Sequence, residues 1–172
     1  SVNRTNTKIW VMLCDILMKQ YEQGNEKLYL KQQYDTAAFF SVTKRMYETM
    51  AKFDSIDAHL NMPSPVLPKY RERHAQFLNS IRPNLFNGGT YFLHVKDYKT
   101  AYDYFDNYIK TDKQSLFIGY DYEHKDDLMP HAAYWAMYCG YKLGDTEKTM
   151  RYLNLAERDS SMLNFVRQYE AS

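Results

Sequence analysis

Carboxylates and imidazoles are concentrated in one segment of the C-terminal half of the chain. Side chains of these types are common ligands of divalent cations. Their spacing matches no metal-binding pattern, and no two of the five histidines stand four residues apart as a ligand pair on a helix would. We therefore expect a solvated acidic loop, with no metal ion and no other cofactor. The segment contains Asp121, Glu123, His124, Asp126, Asp127 and His131.

Motifs that mark the common enzyme classes are absent from the sequence. There is no GxGxxG loop for a dinucleotide, no Walker loop for phosphate, no HExxH zinc motif, no CxxC pair and no GxSxG elbow. The sequence therefore predicts a noncatalytic protein with no catalytic residues.

A second cluster of charged residues is basic and follows the central prolines. Such a cluster could meet an acidic partner or phosphate groups. Because Glu72 interrupts it and the formal net charge of the 172 residues is only +1, we expect a solvated helix face and no binding to nucleic acid. The cluster comprises Lys69, Arg71, Arg73, His74 and Arg82.

The composition also bears on membranes, location and redox state. No segment approaches the ~20 consecutive apolar residues that span a bilayer, so we expect no membrane insertion. The chain begins with Ser1 rather than Met, which favours a processed or excised product and the cell envelope or periplasm slightly over the cytoplasm. Cys14 and Cys139 lie among apolar residues and are predicted to be packed in a core, although a disulfide between them stays open.

Apolar residues at spacings of three and four predict two long helices in the N-terminal half. The first starts near Asn6 and runs through Tyr29, with Gly24 as a weak point. The second starts at Asp35 and ends near Ile56. No helix continues through the closely spaced prolines that follow, so they predict a linker. These are Pro63, Pro65 and Pro68.

The C-terminal half predicts a helix over 69–81, a new helix that opens at Pro83, and a hairpin that ends near Lys110. The alternative is a single kinked helix over 69–95. A loop over 111–130 follows, and Pro130 opens the last full hairpin. Within one domain, 1–172, we thus expect an N-terminal hairpin (1–58), a linker (59–68), a helix plus hairpin (69–110), an inserted loop (111–130), a second hairpin (131–160) and the start of a further helix (161–172).

One pattern occurs twice, around Asp97 and around Asp145. Each copy has a helix of small and aromatic residues, a short polar turn that contains the Asp, and an amphipathic second helix. Tyr104 in the first copy corresponds to Tyr152 in the second. Hairpins that repeat in this way must stack to bury their apolar faces.

The two copies resemble tetratricopeptide repeats, which are helix–turn–helix units of 34 residues. In a weaker third copy, Tyr34 and Ala37 are predicted to match Tyr98 and Ala101. The copies lack the family's early Trp and closing Pro, and an insertion separates them. The residues that carry the resemblance are Gly89, Phe92, Tyr98, Ala101 and Phe105 in the first copy, and Ala133, Gly144, Asp145, Leu153 and Ala156 in the second. The resemblance implies an all-α fold, in which antiparallel hairpins stack as a right-handed solenoid.

In that family the first helix of each hairpin lines the concave surface, and this implies a binding face. In the last hairpin, Tyr134, Tyr138 and Tyr141 follow one another at i, i+4 and i+7. The alternative is that another helix covers these tyrosines and makes them core. The predicted face comprises Phe86, Asn87, Thr90, Leu93, His94, Tyr134, Trp135, Tyr138, Tyr141 and Lys142.

The function predicted from this face is a noncatalytic scaffold that binds a peptide or helix of another protein. Such a scaffold would be part of a longer protein. The alternative is a module that senses a small molecule or glycan through the aromatic face, with the 111–130 loop closed over the ligand.

Overall fold

The computed structural model describes residues 6–60 and 67–160. Over these ranges the chain is all-α: helices pack on helices, and the described residues form no strand. Three-residue 3₁₀ turns follow α5 at Thr111–Lys113 and Ser115–Phe117. The helices are α1 (Thr7–Tyr29), α2 (Thr36–Leu60), α3 (Arg71–Ile81), α4 (Pro83–His94), α5 (Tyr98–Lys110), α6 (Tyr122–Lys125), α7 (Leu128–Lys142), α8 (Thr146–Met150) and α9 (Leu153–Ala156).

The chain divides into two compact units, and the first contains the residues up to Asn84 together with Gln114–Leu116. Its helices α1 and α2 form an antiparallel hairpin. Trp10 near the start of α1 stacks on Phe53 near the end of α2, with ring centroids 6.2 Å apart. At the opposite end Tyr21 packs on Phe39 at 5.1 Å. The apolar stripes predicted from helical spacing therefore form the interior of this hairpin.

A buried ion pair fixes α3 against α2 in the first unit. Arg71 donates from Nε and Nη2 to the two carboxylate oxygens of Asp54, both at 2.8 Å. The Ser115 hydroxyl donates to the same carboxylate at 2.9 Å. The Asp54 side chain is only 1% exposed, so these donors compensate for the loss of its hydration.

The second unit contains Leu85–Lys113 and the residues from Phe117 onward. Its helices α4 and α5 are antiparallel, because Phe86 contacts Tyr108 with ring centroids 5.8 Å apart while Phe92 contacts Tyr104 at 5.2 Å. Helix α7 then packs against α5, α8 and α9. Cys139 of α7 is buried, as is Cys14 of the first unit, and both thiols are free.

The turns of the two hairpins in this unit have the same backbone geometry. Lys96 and Gly144 both adopt left-handed conformations, with φ of 61° and 66°. The next residue donates its N–H five residues back, from Asp97 to Phe92 at 2.9 Å and from Asp145 to Gly140 at 3.0 Å. This is the Schellman arrangement that ends many helices. The repeated sequence pattern thus corresponds to a repeated structure at the turns.

Several predicted boundaries differ from the observed ones. Helix α2 continues to Leu60 rather than ending near Ile56, because nothing in its sequence breaks a helix before Pro63. Helices α3 and α4 are separate, as predicted, with only Arg82 between them. The predicted linker lies mostly outside the described residues, and the predicted helix over 161–172 lies wholly outside them.

The segment predicted as an inserted loop, 111–130, contains two 3₁₀ turns, the four-residue α6 and the first turn of α7. Helix α7 begins at Leu128, two residues before Pro130, because Asp126 accepts a hydrogen bond from the Leu128 N–H at 2.9 Å. Pro130 fits in the first turn, where no backbone N–H is needed. The predicted second helix of the last hairpin is interrupted at Arg151 and Tyr152, between α8 and α9.

The third, weaker copy aligns differently from the prediction. Lys31 ends α1 in a left-handed conformation, with φ of 54°, as in the other two turns. Asp35 then caps α2 by accepting from the Ala37 N–H at 2.9 Å. Tyr34 thus precedes its cap whereas Tyr98 follows Asp97, so the predicted match of Tyr34 with Tyr98 was wrong.

Candidate functional site

An open groove of about 580 Å³ lies in the second unit, between the first helices of its two hairpins. Helix α4 forms one wall and α7 forms the other, and the turn after α4 and the start of α5 contribute Lys96 and Tyr98. The lining residues are Phe86, Thr90, Leu93, His94, Lys96, Tyr98, His131, Trp135 and Tyr138.

The rings that line the groove form a continuous row. Phe86 contacts His131 with ring centroids 5.8 Å apart, and His131 contacts Trp135 at 5.9 Å. Trp135 contacts Tyr138 edge-to-face at 5.7 Å. Tyr138 in turn contacts Tyr98 at 6.2 Å. Pairs of Phe, Tyr and Trp rings contribute about 0.5–1.5 kcal/mol each beyond burial, so the contacts of Tyr138 with Trp135 and Tyr98 favour the observed ring orientations.

Helical spacing brings these side chains to one surface. On α7 the residues at i, i+4 and i+7 are His131, Trp135 and Tyr138, and Lys142 follows four residues later. Residues with this spacing lie on one face of a helix. The opposite face of α7 is occupied by small and apolar buried residues. These are Ala132, Ala133, Ala136, Met137 and Gly140.

Two glycines let the walls of the groove pack closely on the helices behind them. A Cβ on Gly89 would lie 2.7 Å from the ring of Phe105 on α5. A Cβ on Gly140 would lie 2.5 Å from the backbone nitrogen of Thr149 on α8. Both first helices are thereby held at short distances from their second helices.

The two imidazoles of the groove are held by hydrogen bonds from Nδ1. His94 Nδ1 lies 2.8 Å from the Thr90 carbonyl oxygen, which can only accept. His131 Nδ1 lies 2.8 Å from Asp159 Oδ2, an oxygen outside the groove lining. In each ring Nδ1 therefore carries the proton, and Nε2 is the nitrogen left for other contacts.

Of the predicted binding residues, six line this groove and four do not. Tyr134 is buried, with 7% of its surface exposed, and burial raises the pKa of its hydroxyl. Tyr141 and Asn87 are exposed but outside the lining, and the ammonium of Lys142 lies over the Tyr138 ring at 5.6 Å. The six in the lining are Phe86, Thr90, Leu93, His94, Trp135 and Tyr138.

Sequence reasoning missed three lining residues: Lys96, Tyr98 and His131. The spacing of His131 from Trp135 and Tyr138 was a signal that could have found it. The prediction relied instead on the stripe of Tyr134, Tyr138 and Tyr141, which follows a neighbouring face of α7. Lys96 and Tyr98 belong to the turn and to α5, from which no binding residues were predicted.

The acidic segment does not form a metal site in the described residues. No three His, Cys, Asp or Glu side chains there come close enough to hold an ion. Glu123 bonds instead to Lys113 and to Arg158, both at 3.0 Å, and His124 bonds to Asp121 at 2.7 Å. No residue of 111–130 lines the groove.

The predicted basic cluster does not form one surface either. Arg71 is engaged with Asp54, and both His74 and Arg82 are buried. Arg73 lies 3.6 Å from Asp15. Only Lys69 and Arg73 are exposed, so the cluster offers no continuous site for phosphate.

Comparisons of the chain with protein-family models, with curated proteins and with solved structures found no match. Over the residues that the structure describes, no helix combines the length and apolarity needed to cross a membrane.

Proposed function

We propose that the second unit is a noncatalytic scaffold that captures a peptide or helical segment of another protein in the groove between α4 and α7. In this proposal the hairpins are tetratricopeptide-like repeats, stacked as a right-handed solenoid in a longer protein. The observation that carries the proposal is the row of rings from Phe86 to Tyr98. Its members lie on the first helices of two consecutive hairpins, except for Tyr98 at the start of α5.

The repeated turn supports the relation to tetratricopeptide repeats. Both turns combine a left-handed residue with an Asp that caps the next helix, and both hairpins place their first helix on the groove. A surface made by successive first helices is the one that such repeats use for binding.

The chemistry of the groove supports a peptide as its occupant. Large aromatic side chains with polar tips supply most of the energy at protein interfaces, and Trp and Tyr are the residues found most often at hot spots. A volume of about 580 Å³ is within the range of pockets that bury several side chains or a small ligand.

The test is a selection of binders from a displayed library of random twelve-residue peptides, followed by affinity measurements on the selected peptides. Trp135→Ala is expected to weaken them by about 2 kcal/mol, or about thirty-fold. Tyr141→Ala is the matched control, because Tyr141 is on the same helix, is 52% exposed and does not line the groove. It should leave the affinities within about two-fold.

Tyr134 is unsuitable for this test, because its ring is buried and its removal would disturb the fold. Thr90→Arg is a better second variant, since it places a long side chain inside the groove without removing an aromatic ring. Circular dichroism checks that each variant is folded. Peptides that bind Trp135→Ala and Thr90→Arg as tightly as the native chain, or a selection that enriches none, would refute the proposal.

A further inference from the structure

The groove lining itself is positively charged. Among the described residues it includes Lys96 and no Asp or Glu. Lys96 lines one end, and the described residues offer its ammonium no carboxylate. Lys142 lies beside that end, where it contacts the ring of Tyr138 rather than an acidic side chain.

The charge is also unevenly distributed along the groove. Lys142 contacts the ring of Tyr138, and Lys96 stands two residues before Tyr98, whose ring contacts that of Tyr138. Both lysines therefore belong to the end formed by Tyr98 and Tyr138. At the opposite end, next to Phe86, the carboxylate of Asp159 is bonded to His131. A negatively charged group of an occupant would therefore be attracted at one end only. This would fix the orientation of a bound peptide along the groove.

We propose that the groove selects an acidic peptide segment of a partner protein. Apolar side chains of the segment would cover the rings of Phe86 and Trp135, and a carboxylate side chain would lie between Lys96 and Lys142. This inference rests on the proposed function, since it names the chemistry of the occupant of the same groove.

The probes are three fluorescein-labelled, C-terminally amidated peptides of twelve residues, each with two leucines and one phenylalanine. The charged positions between the apolar residues are all glutamate in one peptide, all glutamine in the second and all lysine in the third. The amide removes the terminal carboxylate, so that only side-chain charge is tested. A fourth probe is a labelled single strand of twelve deoxythymidines, because rings beside lysines are also typical of single-strand binding.

Anisotropy titrations should show the glutamate peptide binding about five-fold tighter than the glutamine peptide, which is the effect expected of one or two partly exposed ion pairs. The lysine peptide should bind most weakly. The preference should shrink in 0.5 M salt, because the screening length there is only a few ångströms.

Charge-reversal variants test whether Lys96 and Lys142 cause the preference for the glutamate peptide. Lys96→Glu and Lys142→Glu should abolish or invert it. Lys125→Glu is the matched control, since Lys125 is exposed, belongs to the same unit and does not line the groove. It changes the net charge equally and should leave the preference unchanged.

Other outcomes separate this inference from the proposed function. Equal binding of all three peptides would overturn acidic selectivity and leave a peptide groove in place. No binding by any of them would also overturn it, and the library selection would then decide the proposed function by itself. Tighter binding of the deoxythymidine strand, lost in Lys96→Glu, would overturn it in favour of a nucleic-acid site.

Discussion

Asp97 and Asp145 cap the second helices of the two hairpins through the same hydrogen bond. Asp97 Oδ1 accepts from the Thr100 N–H at 3.1 Å, and Asp145 Oδ1 accepts from the Lys148 N–H at 3.0 Å. Each carboxylate bonds the N–H three residues later, at the start of a helix whose positive dipole end faces it. The Asp that recurs in the sequence therefore makes the same stabilising hydrogen bond in both hairpins.

Loss of either cap should destabilise the chain to a similar extent. We expect Asp97→Ala and Asp145→Ala each to lower the free energy of unfolding by about 1 kcal/mol. Asp97→Asn and Asp145→Asn keep an acceptor oxygen and should recover most of the loss. Chemical denaturation of the four variants checks this, and asparagine variants as unstable as the alanine variants would show that the caps do not act through this bond.

The residue before each cap offers a second comparison. Lys96 holds a left-handed conformation that costs an L-residue about 1 kcal/mol, whereas Gly144 adopts it freely. We expect Lys96→Gly to raise the free energy of unfolding by about 0.5 kcal/mol and Gly144→Ala to lower it by about 1 kcal/mol. Thermal and urea unfolding measure both changes. A Lys96→Gly variant less stable than the native chain would contradict the strain assigned to this turn.

The glycines behind the groove should respond differently to a methyl group. Gly140 faces the backbone of Thr149, which cannot move aside without shifting α8, so we expect Gly140→Ala to cost about 3 kcal/mol. Gly89 faces the ring of Phe105, and Gly89→Ala should cost about 1–2 kcal/mol because a side chain can adjust. In an exposed helix the same change would be stabilising.

Second-site changes distinguish these two contacts. Phe105→Leu should partly restore Gly89→Ala, because it shortens the side chain that the new methyl meets. Thr149→Ala should not restore Gly140→Ala, since the atoms in contact there belong to the backbone. Denaturation of the paired variants is the measurement, and rescue by Thr149→Ala would show that the close approach at Gly140 is made by the side chain instead.

Helical periodicity predicted the helices well where one face of the helix is buried and the opposite face is solvated. Helix α1 is an example: Trp10, Cys14, Leu17 and Tyr21 are buried at spacings of four, three and four. Gly24 did not break the helix, because the ring of Tyr34 packs where a side chain would be, 2.9 Å from the position of a Cβ. Along this helix the residues that the apolar spacing predicts to be buried are the ones that pack in the interior.

The same reasoning was less accurate about which side of α7 lines the groove. That helix is apolar on most of its circumference, so hydrophobic period alone does not say which face is covered. The prediction followed Tyr134, Tyr138 and Tyr141, whereas the residues of α7 that line the groove are His131, Trp135 and Tyr138. The interruption at Tyr152 was also unpredictable, because neither Gly nor Pro marks it; there the Tyr152 hydroxyl donates to Asp106 of α5.

The stability of the first unit should depend on pH through His74. Burial, followed by the charge of Arg73, holds the pKa of His74 below its ordinary value, while Asp15 and Asp54 oppose the shift more weakly. The unfolded chain therefore binds more protons than the folded one in weakly acidic solution. Stability is fully present above about pH 6.5 and falls as the pH drops toward the lowered pKa of the folded state.

We expect His74→Gln to flatten this dependence below about pH 6.5, although the variant is less stable overall. Urea unfolding at a series of pH values, repeated for the exposed His59→Gln as the control, gives the slopes. A native slope that His74→Gln leaves unchanged would assign the effect to another group.

Binding of a peptide in the groove between α4 and α7 can be followed through the indole N–H signals of the two tryptophans. Trp135 lines the groove, whereas Trp10 is buried in the other unit. In ¹H–¹⁵N spectra titrated with a peptide from the library selection, we expect a progressive shift of the Trp135 signal with the Trp10 signal unchanged. A peptide that binds without moving the Trp135 signal would contradict binding in the groove.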